Sequence, residues 1–136
     1  MTQHYIGSKQ IVAWEQLNKA GDPGYAVKYP DGYMSWSPKD VFEAAYLAQG
    51  HDDTRINAQM VDDFIAKHES TRMGNHTVLL VTLRNGFTLI EESACVDAAN
   101  YDQAIGEQYA LQKARSRVWN LLGFLLSTAR NGINVK

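Results

Sequence analysis

Apolar spacing along this chain switches between the two-residue period of strands and the three-to-four-residue period of helices. YIGSKQIVAW, residues 5–14, predicts a first strand, and the polar loop NKAGDPG follows it. GYAVKYPDGYMSWS then holds two short runs around Pro30-Asp31-Gly32. Proline presets φ, aspartate bonds its own backbone and glycine accepts positive φ, so the segment predicts a β-hairpin. SPKDVFEAAYLAQ predicts a helix with Ser37 as N-cap, Pro38 at the first helical position and Asp40 completing a capping box in place of glutamate, with Gly50 ending it. AQGHDDT, residues 48–54, marks the expected boundary between two modules, 1–49 and 50–136.

Beyond that boundary, Ile56, Met60, Val61, Phe64 and Ile65 fall at amphipathic spacing, so a helix is expected over about 55–68 behind Asp53 or Thr54 as cap. ESTRMGNH reads as a loop. In TVLLVTLRNGFTLIEESA the Asn85-Gly86 pair between two β-rich runs predicts a hairpin with a two-residue type I′ turn, which sets Phe87 opposite Arg84. CVDAAN feeds a long helix from about Tyr101 into the 120s, with Asn100 and Gln103 as its N-cap pair and ARNGINVK as a frayed tail. The expected fold class is therefore α+β: small antiparallel sheets built from hairpins, packed against amphipathic helices that include a long C-terminal one.

One position in that last helix breaks the pattern. With Leu111 as zero and 100° per residue, Ala114, Val118, Leu122 and Trp119 gather at roughly 300°, 340°, 20° and 80°. Arg115 falls at about 40°, inside the same arc, whereas Lys113 and Arg117 fall at about 200° and 240° on the solvent side. A buried guanidinium must be paired. Its partner is expected to be Glu91 or Glu92 at the end of the hairpin, a carboxylate of a second copy, or a phosphate of a ligand, for which its planar fork is suited.

Composition narrows the options. A formal charge of −2 argues against a general duplex-DNA binder without excluding one small anion at a local site. A single cysteine rules out an internal disulfide and fits a reducing compartment. MTQHYIGSKQ has no signal-peptide core, and the apolar runs around VLLV and LLGFLL are far shorter than the roughly 20 residues that span a bilayer, so a cytoplasmic protein without membrane contact is expected. His4, His51, His68 and His76 show no zinc spacing. Asp52-Asp53 and Asp62-Asp63 read as solvated pairs, and Cys95 has no identifiable base. Consecutive Glu91 and Glu92 on a strand face opposite sides. Neither an enzyme, a metal site nor a cofactor is expected.

RNGFTLIEESACVDAANYDQAIGEQYALQKARSRVWNLLGFLL resembles the phage family named for gene products 49 and 66 of two tailed phages, with the preceding helix extending the resemblance over about residues 55–127. The shared features are the Asn-Gly-aromatic hairpin, the Glu-Ser-Ala-Cys strand end and the Ala-Arg-x-basic-aliphatic-Trp-x-Leu helix pattern from Ala114 to Leu121. That family is similar to the first class of Thoeris anti-defense proteins, which hold cyclic ADP-ribose-type signals without altering them and assemble as homodimers or larger homo-oligomers. The resemblance implies a phage or prophage protein acting in the host cytoplasm. YIGSK and GYAVKYPDGYMSWSPKDVFEAAY resemble a small module at the start of other phage proteins, which implies no activity.

On this reading Arg115 neutralises pyrophosphate and Phe87, beside Arg84 at the hairpin mouth, stacks on the base. Asp97 or Asn100 bonds ribose next to a helix N-terminus, and Arg117 reaches phosphate if its helix lines an interface groove. Pattern alone favours Phe87 as a core- or partner-facing side chain, Asn100 as a plain cap, and Lys113 and Arg117 as solvated. The alternative function is a phage accessory protein that binds a host or phage protein through the helix stripe or the Tyr25, Tyr29 and Tyr33 hairpin with Trp36.

Overall fold

The computed structural model describes residues 1–135 and is α+β: two three-stranded antiparallel sheets and three α-helices, the last of them long. Two compact units divide the chain, Met1–His51 together with the residues from Phe124 onward, and Asp52–Gly123.

In the first unit, β1 (Val12–Glu15), β2 (Gly24–Lys28) and β3 (Met34–Pro38) pair in that order, and α1 (Lys39–Ala45) follows. The hairpin expected at Pro30-Asp31-Gly32 forms, with Lys28 opposite Met34 and Asp31 accepting the Tyr33 N–H. Tyr29 and Tyr33 lie in its loop rather than on a strand face, and their rings stack 5.8 Å apart. Three expectations need correction. The first strand begins only at Val12. Ser37 does not cap α1, because its backbone is committed to the ladder opposite Tyr25; Pro38 takes the cap position without a side-chain bond, and the helix stops at Ala45, well before Gly50.

In the second unit, α2 (Ala58–Phe64) is capped by Asn57, whose side chain accepts the Met60 N–H, not by Asp53 or Thr54. It is half the expected length. Where the helix was expected to continue, and through the supposed loop, the chain forms the nine-residue strand β4 (Ile65–Met73). β5 (His76–Leu83) lies at the centre of the sheet, between β4 and β6 (Thr88–Ala94). Ladder bonds to β5 outweigh the helical spacing of Ile65, since local propensity is a weak prior against tertiary pairing.

Thr77, Leu79, Val81 and Leu83 of β5 alternate into the core with Leu89 of β6. Over that face runs α3 (Gln103–Asn131), contributing Ala110, Ala114, Val118 and Leu122. Each large apolar side chain buried there contributes about 1.5–3 kcal/mol. The alanines and Gly106 let the helix ride close: the Ser93 hydroxyl donates to the Gly106 carbonyl at 2.7 Å. A one-turn 3-10 helix at Ala98–Asn100 precedes α3. Asp102, not Asn100, caps α3, accepting the Ala104 and Ile105 N–H groups, and the helix runs unbroken past Gly106 and Gly123 into the expected tail. Among the described residues no helix is long and apolar enough to cross a membrane.

Candidate functional site

The junction between α2 and β4 opens a cleft. α2 ends at Phe64, the chain turns extended at Ile65, and the register of β4 against β5 slips between Ile65 and Lys67. A bulge of this kind bends a strand and re-aims its side chains. Because β4 is an edge strand, the slip leaves a gap along it that α3 faces from the other side. The cleft measures about 460 Å³ and is lined by Asp62, Ile65, Ala66, Lys67, His68, Leu111 and Arg115.

Arg115 is the cation that the helix pattern singled out, and its surroundings differ from the expectation. The buried line of α3 steps by four through Ala110, Ala114, Val118 and Leu122. Arg115 is one position off that line, at its edge, with 32% of its side chain exposed. Trp119, expected in the same arc, is exposed. The partner of Arg115 is neither Glu91 nor Glu92 but Asp62 of α2, one of the four aspartates expected to be simply solvated. Glu91 takes Arg117 instead, with Nη1 2.9 Å from the carboxylate, and a second bond reaches the Ile90 carbonyl. Lys113 is likewise engaged, donating to the Glu92 carbonyl at 2.7 Å. Of the three basic residues on this stretch of α3, Arg115 alone lines the cleft.

His68 stands on the β4 wall. Its Nδ1 lies 3.0 Å from Glu107 of α3, which also accepts the Ser70 hydroxyl at 3.0 Å, and Gln103 donates to that hydroxyl in turn. The chain of bonds fixes the ring and leaves Nε2 as its remaining polar atom. Arg115, Lys67 and His68 thus share a cleft with one carboxylate, Asp62: a site whose charge suits an anion.

The other expected residues are spread over the sheet. The hairpin loop holds three residues, Arg84-Asn85-Gly86, so Phe87 faces Leu83 and not Arg84. A type I′ turn needs positive φ at both central residues; only Gly86 has it, at +88°, and the Asn85 side chain instead accepts the Phe87 N–H. The Arg84 N–H donates to the Phe64 carbonyl at 2.9 Å, which ties this turn to the helix end beside the cleft. Phe87 is exposed there. Asp97 and Asn100 follow the opposite end of β6, about 20 Å away at some 3.3 Å per residue. Asp97 accepts the Ala99 N–H and Asn100 donates to the Asp97 carbonyl, so both organise the 3-10 turn.

Asp62, Lys67, His68 and Glu107 were missed as site residues. Extending the helix to His68 hid Lys67 and His68 from the sheet, and no spacing rule links Asp62 of α2 to α3. One available signal was Glu107 itself, an acidic residue on α3 close in phase to the apolar stripe.

Neither the curated proteins nor the solved structures provide a match to the chain. Residues 55–130, by contrast, match the Phage protein (N4 Gp49/phage Sf6 gene 66) family. The matched stretch contains every lining residue of the cleft and more than half of the chain. The chain belongs to the Phage protein (N4 Gp49/phage Sf6 gene 66) family.

Proposed function

We propose that this phage-family protein captures a cyclic ADP-ribose-type nucleotide and withholds it unaltered, as an anti-defense factor in the host cytoplasm. The observation that carries the reading is Arg115, a guanidinium set on the wall of an open cleft beside His68 and Lys67. At about 460 Å³ the cleft lies in the range of small-molecule sites. Arg115 supplies the fork for pyrophosphate. Phe87, exposed at the turn tied to Phe64, supplies an aromatic face for the base. Asp97 and Asn100 lie too far along the sheet to join the same ligand within one protomer. Their ribose role requires a symmetric homodimer, or a larger ring of copies, that brings the Asp97 end of one protomer to the cleft of another.

Capture without turnover depends on affinity, and nanomolar binding corresponds to about −12 kcal/mol. Losing one charge-assisted contact costs about 1.5–3 kcal/mol. Arg115→Ala should therefore weaken binding by tens- to a hundredfold. Calorimetric titration with a panel of cyclic ADP-ribose isomers tests this, alongside mass spectrometry of small molecules released by heating the purified protein. Absence of heat for every isomer, with folding intact and no nucleotide released, would falsify the reading.

A further inference from the structure

Among the described residues Asp62 is the only carboxylate lining the cleft, and it sits on Arg115, the group that a ligand phosphate would have to engage. We propose that Asp62 is a displaceable latch: it holds the guanidinium while the cleft is empty and gives way only to a ligand of higher negative charge. The inference rests on the reading that this cleft takes a phosphorylated ligand.

Three observations carry it. The Asp62 side chain is 53% exposed and Arg115 is 32% exposed, so the aspartate regains water when it lets go. Pairs with that much solvent access are weak and exchangeable. The neighbouring carboxylate, Glu107, cannot take over, because His68 and Ser70 already occupy it. And Asp62 comes from α2 whereas Arg115 comes from α3, so its release disturbs no bond within the helix that carries the arginine.

The consequence is selectivity. Swapping the Asp62 carboxylate for another monoanion gains nothing, since one charge and one planar acceptor replace their equals. A pyrophosphate brings more charge and more acceptor oxygens to a fork with five donors, and it meets Lys67 and His68 as well. Discrimination of this kind comes from a built-in competitor rather than from an extra attractive contact.

The test titrates inorganic pyrophosphate, acetate and the cyclic ADP-ribose isomers into the wild-type protein, Asp62→Asn and Asp62→Ala, with circular dichroism to verify folding. Both variants should bind pyrophosphate about three- to tenfold tighter than wild type, the scale of a freed, partly exposed pair plus relieved repulsion. Acetate should compete with pyrophosphate in the variants and not in wild type. Equal or weaker pyrophosphate binding in both variants overturns the latch. Tighter pyrophosphate binding with no response to any isomer supports the latch and removes the nucleotide reading. Silence of every probe with every protein overturns both.

Discussion

Gly106 of α3 packs against Thr77 of β5 with no room for a side chain: a Cβ built on the glycine would lie 2.0 Å from the Thr77 hydroxyl oxygen and 2.8 Å from its Cβ. Thr77 is buried, and its hydroxyl is already committed to Tyr101 at 3.0 Å. Glycine is here for closeness, at the expense of helix propensity.

The first prediction follows from that contact. Gly106→Ala gains up to about 1 kcal/mol of helix propensity but overpacks a rigid seam, which costs about 1–3 kcal/mol. Because Thr77 cannot rotate away without abandoning Tyr101, the net effect should be destabilising by roughly 1–2 kcal/mol. The urea midpoint reads it; a midpoint at or above wild type would show that the seam yields.

The start of α3 supplies a second. Asp102 satisfies two free N–H groups of the helix, while Asn100 only bonds within the preceding turn. Asp102→Ala should cost about 1 kcal/mol, and Asn100→Ala should stay within about 0.5 kcal/mol. Thermal melts of the two variants side by side check the assignment, and the reverse order would return the cap to Asn100.

A third concerns the β5–β6 turn. Gly86 has φ +88°, which an L side chain adopts only with strain. Gly86→Ala should destabilise by about 1–2 kcal/mol. Asn85→Gly removes the acceptor of the Phe87 N–H without relieving any positive φ, so it should destabilise too. A stabilising Asn85→Gly, measured by denaturant unfolding, would mean that the turn is of the two-residue kind after all.

A fourth is pH-dependent and belongs to the N-terminal sheet. The Tyr25 hydroxyl donates to Glu43 at 3.0 Å, and that bond, followed by desolvation and the charges of Glu43 and Glu15, raises its pKa above the ordinary 10.0. A raised folded value means the bond's contribution to stability is complete below pH 10 and is lost as pH climbs through the raised pKa. Ultraviolet titration of tyrosinate should show Tyr25 ionising late together with Tyr46, whose pKa burial also raises, and Glu43→Gln should bring Tyr25 back toward the normal range. An unchanged titration curve in that variant would assign the shift elsewhere.

Much of the fold was legible because the apolar run Val78–Val81 of β5 leads into the Asn85-Gly86 turn and α3 repeats its apolar positions by fours. β4 was not. Lys67, Glu69 and Thr71 on one side and His68, Ser70 and Arg72 on the other make both faces polar, so no two-residue alternation marks the strand. Its register comes from β5, to which the two-residue Gly74-Asn75 turn joins it, and reading ESTRMGNH as a loop concealed that hairpin. The site followed the same division. Arg115 stood out against its own helix, while Asp62 and His68 acquire their roles only once α2 is cut short and the strand begins. The partner of Arg115 was therefore sought in the hairpin, among the acidic residues that the sequence placed nearest.

The small residues along α3 also have a reach beyond stability. Gly106, Ala110 and Ala114 set how low the helix rides on the strands, and Arg115 is carried on that same rod. Bulk introduced a turn or two away would lift the rod and widen the gap between guanidinium and β4. Loss of grip on an anion could then arise from substitutions that never meet it, and sequence drift along this seam would retune the cleft as surely as changes to its walls.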